Sequence, residues 1–385
     1  MPQSQSCVGR VPRSGPAALT LLAVLLVPAA PARVHADDPV GTSITFNREI
    51  IRIVQRKCEP CHAPRGLAMS LSDYRDARAW GRAIREELVE HRMPPAILAR
   101  GYGDYESDPS LNAREMATFL TWLDGGMPRG DEADRPARRP GPDVAVGAED
   151  PDAIRIPLPT QTVPASQDLV IRRVTVDAAS IAGRTIARVQ VRPGNPRVLR
   201  GALVFAVSSS NSSPPTSRTW VGAWLPWQHA VVPPPAAAFA MPAQAALVVE
   251  LYYRGADAAQ TDGSVLELTF AGADATGRVG DVVVETSAQT ASGYRGRIQI
   301  PRGMRVWAIQ PALDASVTSL ELRVERPDQS VEILLWAPAV RPEWPLALAM
   351  REPVVMPAGS VVSFVAARHA SRTGTPPRVT LSVLP

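Results

Sequence analysis

The segment Cys58-Glu59-Pro60-Cys61-His62 places two thiols three residues apart and an imidazole directly after the second thiol. This spacing is typical of c-type haem attachment, in which both thiols form thioethers with the haem vinyl groups. The adjacent imidazole of His62 then ligates the iron from one side. The pattern therefore predicts one covalently bound haem c, held by Cys58 and Cys61, and one-electron chemistry.

Other interpretations of these five residues fit their surroundings less well. A thioredoxin-type pair of cysteines requires a βαβ setting, whereas the flanking sequence has a helical pattern. A structural zinc site requires two more ligands at suitable spacing, and the chain contains only 3 cysteines. A chance occurrence is a poor explanation in a chain so poor in cysteine. The third cysteine, Cys7, lies in the region that is predicted below to be removed on export.

A second axial ligand is expected from the residues that follow the motif. Met93 is the best candidate, because a thioether favours ferrous iron and the two prolines after Met93 stiffen the loop that presents it. Met69 is the main competitor and is expected to pack beside the haem, and His91 would give bis-histidine ligation. Core packing is the expectation for the two later methionines, Met116 and Met127.

Helical spacing of apolar residues predicts three helices between about residues 44 and 130. The first helix precedes the motif, Ser72-Asp73 caps the second, and Asn112 caps the third, which Gly125-Gly126 ends. The side chains expected to face inward are Phe46, Ile50, Ile51 and Val54 in the first helix, Ala77, Trp80, Ile84 and Leu88 in the second, and Met116, Phe119, Leu120 and Leu123 in the third.

The first residues have the pattern of an export signal. Arg10 and Arg13 precede an apolar run that is too short to span a bilayer comfortably, and a small-residue cleavage site follows, so residues 1–36 are predicted to be removed. A retained membrane anchor is the alternative. The protein is therefore expected to be periplasmic or otherwise exported, with no stable membrane span after cleavage. No nucleic-acid partner is expected, because acidic residues interleave with the arginines and the formal charge is only +4.

At 385 residues the chain is too long for one typical domain. Residues 37–130 form the predicted cytochrome c domain, and residues 131–150, rich in Pro, Gly and acidic side chains, form a predicted linker. Short β-branched runs separated by turns then predict two β-sandwiches, over residues 151–275 and 276–385. The predicted fold class is multidomain, with an all-α domain like the class I cytochromes c followed by an all-β region.

Residues of about 44–135 resemble the cytochrome c domain of large exported bacterial proteins. The matching segments are Cys58 to His62, Met69-Ser70-Leu71, Arg92 to Pro95, and Trp122-Leu123-Asp124-Gly125-Gly126. Ala96 departs from the family, which often has an aromatic residue after the Pro-Pro pair. The resemblance covers about a quarter of the chain, and it implies haem c with His62 and Met93 as axial ligands.

The C-terminal region resembles a divergent form of the copper type II, ascorbate-dependent monooxygenases of the peptidylglycine hydroxylase kind. The segments that carry this resemblance are Val191 to Asn195, Tyr252-Tyr253, Asp262-Gly263-Ser264, Gly303 to Pro311, and Met356 to Gly359. The resemblance implies two β-sandwiches and a pair of copper sites built from about five imidazoles and one thioether.

The copper ligands themselves are missing from this sequence. Arg200-Gly201 stands where the resemblance expects a His-His pair, Tyr252 stands at the next ligand, and Ala312-Leu313-Asp314 stands at a His-x-His. Only His229 and His369 lie beyond residue 150, and neither is expected to bind metal. Because copper binds through imidazole and soft sulfur, the region is predicted to keep the scaffold without copper.

The leading hypothesis is an exported mono-haem c-type cytochrome that exchanges single electrons with a redox partner protein. In this hypothesis the β region serves in docking or assembly, and no catalytic residue is assigned. The alternative is an enzyme: a haem-linked oxidoreductase, or a copper-dependent monooxygenase-like enzyme with an unrecognised site in the β region. A third hypothesis is a structural exported protein whose motif is incidental.

Overall fold

The structure is a computed structural model that describes residues 41–95, 98–137, 150–166, 168–177, 181–208, 218–228, 230–241, 245–272, 275 and 277–385. The predicted export signal, most of the predicted linker, Ala96 and His229 lie outside the described residues. Within them the chain is mostly β, with a small helical part near its start. No helix in these ranges combines the length and the apolar character that crossing a membrane requires.

The helical part encloses one apolar core. Its helical segments are the π-helical turns Phe46–Ile50 and Val54–Cys58, the helices α1 (Ile51–Ile53), α2 (Glu59–His62), α3 (Tyr74–Ala79), α4 (Gly81–Val89) and α5 (Ala113–Asp124), and the 3₁₀ turn Glu132–Asp134. The segments from Phe46 to His62 follow one another without a break, so helical backbone continues through the motif. Pro60 is tolerated there because it lies in the first turn of α2.

Several predicted helix ends are confirmed. The Asn112 side chain accepts the backbone N–H of Glu115 at 2.8 Å, and the Glu115 carboxylate accepts the backbone N–H of Asn112 at 2.9 Å. This reciprocal pair is a capping box. Asp73 caps α3 through a single hydrogen bond, in which its side chain accepts the backbone N–H of Asp76 at 3.0 Å. Gly125 ends α5, and Gly126 follows with a φ of 83° that glycine adopts without strain.

The predicted second helix is interrupted at Trp80. α3 ends before Trp80 and α4 begins after it, and the Trp80 side chain is 45% exposed, so its predicted inward position is wrong. The buried Gly81 lies against Met127 and takes the inward place. The core positions predicted for Phe119, Leu123 and Leu88 are confirmed, and Met116 and Met127 pack against the same core.

The β part contains two groups of strands. The first group is β1 (Ile154–Pro157), β2 (Gln161–Val163), β3 (Leu169–Asp177), β4 (Thr185–Arg192), β5 (Leu199–Ser208), β6 (Arg218–Trp224), β7 (Ala230–Val231), β8 (Ala237–Ala240), β9 (Ala245–Arg254), β10 (Gln260–Asp262), β11 (Val265–Phe270) and β12 (Gly277–Arg278). The second group is β13 (Gly280–Val284), β14 (Thr286–Gln289), β15 (Gly293–Gln299), β16 (Met304–Ala312), β17 (Val317–Glu325), β18 (Val331–Ala337), β19 (Leu348–Met356), β20 (Val361–Arg368) and β21 (Arg378–Leu384).

The first group forms two larger sheets that share a core, together with the small pair β10-β2. One sheet has the order β1-β11-β4-β8-β12, with β7 also on β4, and the other has the order β3-β9-β5-β6. Trp220 and Trp224 of β6 are buried between them. Because β12 pairs with β8, this group reaches Arg278, three residues past the predicted boundary at 275.

The second group also forms two sheets around one core. Their orders are β13-β21-β16-β19 and β14-β15-β20-β17-β18. Buried and exposed residues alternate along β17, as expected for a strand with one face on the core and one face in water. Leu320, Leu322 and Val324 supply the inward face of this strand.

The two groups pack against each other through apolar and polar contacts. Trp307 of β16 belongs to the core of the first group, and its ring centroid lies 6.0 Å from that of Phe239. Asp281 of β13 accepts hydrogen bonds from the Ser382 hydroxyl and from the backbone N–H of Trp220 in β6. Burial raises the pKa of Asp281 to about 6, although both hydrogen bonds act against the rise.

The raised pKa of Asp281 predicts a pH dependence of stability. The folded state favours the neutral carboxyl of Asp281. Its contribution to the free energy of unfolding is therefore complete below the unfolded pKa of about 4 and is lost as the pH rises through about 6. Asp281→Asn should therefore gain stability relative to the unmodified protein between pH 4 and pH 8. Urea unfolding midpoints measured across this range test the prediction.

A matched control is Asp328→Asn. The Ser330 hydroxyl donates a hydrogen bond to the Asp328 carboxylate and lowers the pKa of Asp328. Asp328 is exposed, and its pKa lies below this range. The difference between Asp328→Asn and the unmodified protein should thus be constant from pH 4 to pH 8. A constant difference for Asp281→Asn as well would contradict the prediction.

Candidate functional site

Cys58 and Cys61 are free, partly buried thiols on one side of a helical turn. Residues three apart in a helix lie on the same face, so both sulfurs face the same region. Burial is the main cause that raises the pKa of each thiol to about 12. Redox-active cysteine pairs have lowered pKa values instead, so this environment argues against a thioredoxin-type function.

The imidazole of His62 has a fixed orientation. Its Nδ1 lies 2.8 Å from the carbonyl oxygen of Met69, and since a carbonyl only accepts, Nδ1 carries the proton. Nε2 has no hydrogen bond to any described residue. Burial lowers the pKa of His62, although the hydrogen bond to Met69 opposes this. A neutral imidazole held through one nitrogen, with the other nitrogen free, is the usual state of a metal-binding histidine.

The loop after the motif folds back onto it through backbone hydrogen bonds. The N–H of Ala68 donates to the carbonyl of Cys61 at 3.1 Å, and the N–H of Leu71 donates to the carbonyl of His62 at 2.9 Å. Gly66 makes the turn, and a Cβ at this position would lie 2.7 Å from the Cys61 carbonyl oxygen. These contacts bring the Met69 carbonyl to His62, so Met69 contributes to the site through its backbone.

Met93 lies in a turn directly after α4. The backbone N–H groups of Arg92 and Met93 both donate to the carbonyl of Glu87, at 2.8 and 3.2 Å, and the Arg92 side chain pairs with the Glu87 carboxylate at 2.9 Å. The Met93 side chain is 37% exposed. The described contacts do not join Met93 to the motif, so its axial role stays a prediction. His91, with a φ of 52°, is exposed in the same turn.

The segment 98–111 after Met93 is held by the second group of strands. Tyr105 forms an antiparallel bridge with Met350, and the Glu106 N–H donates to the Ala349 carbonyl at 3.0 Å. Tyr105 is 5% exposed, and its hydroxyl donates to the carbonyl of Leu334. This contact was not predicted, because segment 98–111 is rich in Gly and Asp and its apolar residues have no regular spacing. The only feature of the segment that could have indicated a buried anchor is the pair Tyr102 and Tyr105.

The structure places together only some of the positions that the resemblance assigns to copper. Gly201 of β5 stands opposite Tyr252 of β9, so the first two positions are neighbours. The Tyr252 hydroxyl donates to Glu250 at 3.3 Å. Asp314 is occupied elsewhere, because its carboxylate accepts the N–H of Ser316 at 2.8 Å in a turn. His369 is exposed.

The residues of the motif fit a covalently attached haem. Both thiols lie on one side of the helical turn, and Nε2 of His62 has no partner among the described residues. In addition, the helical part leaves four large apolar side chains exposed. These side chains are Met69, Trp80, Val89 and Met93.

No protein-family model and no curated protein matches the chain. Among solved structures, the PBSX exported protein XepA is similar at 10% identity and a TM-score of 0.18, covering 60% of this chain and 86% of that one. Allantoicase is similar at 10% identity and a TM-score of 0.17, covering 54% and 77%. The tandem CBM22 domains of Paenibacillus barcinonensis Xyn10C are similar at 11% identity and a TM-score of 0.17, covering 58% and 85%. At such TM-scores these likenesses carry no argument about this chain.

Tyr105→Ala tests whether segment 98–111 is anchored by its buried tyrosine. Removal of a buried aromatic ring is expected to cost about 3 kcal/mol of unfolding free energy and to release the segment. Urea unfolding and limited proteolysis within 98–111 measure both effects. The control is Tyr102→Ala, because Tyr102 is 40% exposed in the same segment, and its loss is expected to cost under about 1 kcal/mol. Equal losses in the two variants would show that Tyr105 has no special role.

Proposed function

We propose that the protein is an exported mono-haem c-type cytochrome that accepts and donates single electrons. Cys58 and Cys61 would hold the haem covalently, and His62 and Met93 would ligate its iron. The β region is a monooxygenase-like scaffold that supports and docks this unit and carries no copper. A redox partner protein supplies or removes the electron.

The observation that carries this proposal is the state of His62. The hydrogen bond from Nδ1 to the Met69 carbonyl fixes the tautomer, and Nε2 has no partner among the residues that the structure describes, on the residue directly after the second thiol. A histidine packed in a core for structural reasons usually has partners at both nitrogens. A backbone carbonyl on one nitrogen with the other nitrogen free is the arrangement that orients a metal ligand.

The cysteines in this proposal form the covalent attachment. Cys58 and Cys61 would each supply one thiol for a thioether to a haem vinyl group, an addition that requires no oxidant. Bound haem c supplies one-electron oxidation and reduction at its iron. The raised pKa values of Cys58 and Cys61 support this use of the pair over disulfide exchange, which requires thiolates.

The proposal that the β region carries no copper rests on the small number of histidines in it. Beyond residue 150 the sequence offers two imidazoles, His229 and His369, where the resembling enzymes need about five. The neighbouring positions in β5 and β9 carry Arg200 and Tyr252 in place of histidines. A guanidinium and a phenol are poor copper ligands, which favours docking over oxygen chemistry.

Covalent haem tests the proposed function directly. Protein matured by export should keep haem absorbance after denaturation, and metal analysis should find one iron and no copper per chain. Cys58→Ala and Cys61→Ala should each lose one thioether, and the double variant should release all haem under denaturing conditions. Cys7→Ser is the matched control, and its haem content should equal that of the unmodified protein. Denatured wild-type protein without haem absorbance would refute the proposal.

Met93→Ala tests the axial ligand. The variant should keep covalent haem and lose the weak red or near-infrared charge-transfer band that is typical of a methionine–iron bond. Met69→Ala serves as the control, because Met69 contributes its backbone carbonyl, which alanine retains. Persistence of the band in Met93→Ala, or its loss in Met69→Ala, would assign the sulfur ligand elsewhere.

A further inference from the structure

A surface cleft of about 360 Å³ lies on the outer face of the sheet β14-β15-β20-β17-β18, in the second group of strands. One row of paired residues crosses β15, β20, β17 and β18 on this face and lines the cleft, and its members are Arg295, Val365, Glu321 and Trp336. Since neighbouring strands lie about 4.8 Å apart, the row is about 14 Å long.

The cleft is concave because the next row on the same face carries small residues. Gly293, Ala367 and Ser319 pair across β15, β20 and β17, two positions along each strand from the first row. Residues two apart in a strand share a face, so the small row forms a depression beside the larger side chains. The turn before Gly293 adds two hydroxyls to the lining, from Thr290 and Ser292, whose oxygens lie 3.3 Å apart.

The ring of Trp336 is exposed in this cleft and is held in place by segment 98–111. Trp336 is 36% exposed, and its ring centroid lies 6.0 Å from that of Tyr102, with the ring planes inclined by 32°. The backbone N–H of Ala99 donates to the Trp336 carbonyl at 2.8 Å. A positioned aromatic ring with a solvent-exposed surface offers a place for stacking at a small cost in conformational entropy.

The contacts of segment 98–111 also occupy the edge of β18. The Ala99 N–H takes the carbonyl of Trp336, and the Tyr105 hydroxyl takes the carbonyl of Leu334. A peptide that binds by adding a strand needs such carbonyls free. The edge therefore does not favour a peptide ligand, and the cleft on the sheet face remains as the place for a ligand.

Glu321 and Arg295 bring opposite charges to the cleft. Neither side chain has a hydrogen-bond or ion-pair partner among the described residues. The carboxylate of Glu321 only accepts hydrogen bonds, and the guanidinium of Arg295 only donates them. An anionic ligand would be repelled by Glu321 and a cationic ligand by Arg295. A neutral ligand with hydroxyl groups, which both donate and accept, satisfies both side chains.

We propose that this cleft binds a neutral carbohydrate, with a sugar ring stacked on Trp336 and its hydroxyls bound by Glu321 and Arg295. The C–H groups on one face of a sugar ring give the indole an apolar contact, while the hydroxyls at the rim of the ring donate to the carboxylate and accept from the guanidinium. A row about 14 Å long accommodates more than one sugar unit of a chain. This binding function is additional to electron transfer and does not depend on haem.

Native electrophoresis of the full chain in gels that contain a neutral polysaccharide tests this proposal. The probes are hydroxyethyl cellulose, arabinoxylan, galactomannan and dextran, and at least one of them should retard the protein. Trp336→Ala should raise the dissociation constant obtained from the retardation about tenfold, and Trp336→Phe, which keeps a ring, should raise it less. Val331→Ala is the matched control, because Val331 is a 59% exposed side chain of the same strand outside the cleft, and its dissociation constant should be unchanged.

Glu321→Ala tests the polar half of the cleft independently of the aromatic ring. It should also raise the dissociation constant about tenfold, because the sugar hydroxyls lose a charged acceptor. Glu325→Ala is its control: it removes the same charge from an exposed position of β17 outside the cleft, and it should bind like the unmodified protein.

The possible outcomes decide the proposal without reference to haem. Retardation by none of the neutral probes, or equal retardation of Trp336→Ala and the unmodified protein, overturns it. Stronger retardation by polygalacturonate, an acidic polysaccharide, overturns the assignment of a neutral ligand. Should Trp336→Ala fail to fold, the comparison of Glu321→Ala with Glu325→Ala decides, and equal binding of these two variants overturns the proposal.

Discussion

The docking of segment 98–111 onto the second group of strands connects the helical part to the β part. The turn that carries Met93 is tied at its start to the Glu87 carbonyl, and the chain beyond it is fixed by the bridge between Tyr105 and Met350. The Tyr105 hydroxyl also donates a hydrogen bond to the carbonyl of Leu334 in the second group of strands.

Buried charges in the first group of strands are compensated by ion pairs. The carboxylate of Glu250 in β9 pairs with Arg173 and Arg218, at 2.8 and 3.0 Å. The carboxylate of Glu267 in β11 likewise pairs with two arginines, Arg155 and Arg192. Each carboxylate is nearly fully buried, and its two cationic partners offset its desolvation.

The sequence predicted best what depends on a few adjacent residues. The cap at Asn112 and the stop at Gly125 need only local chemistry, and both were predicted; the reciprocal bond from Glu115 that completes the capping box was not. Trp80 was predicted to face inward because helical periodicity assumes one unbroken helix. The helix is interrupted at Trp80 instead, and Gly81 packs against Met127. The contact of Tyr105 with Leu334 joins residues far apart in the chain, and no local pattern encodes such a pairing. The motif was evident from the sequence because its five residues are adjacent in the chain.

The register of β5 and β9 brings together two of the positions at which the copper ligands are missing. Under the proposed resemblance, Arg200-Gly201 and Tyr252 stand where the resembling enzymes hold a metal cation, and the structure pairs Gly201 with Tyr252. The Tyr252 hydroxyl donates to Glu250, so its oxygen is already engaged within the sheet. Arg200 is the extra residue of a bulge beside this pair, and its own positive charge disfavours a metal cation there. A guanidinium and a phenol at these neighbouring positions therefore support the proposal of a scaffold without copper.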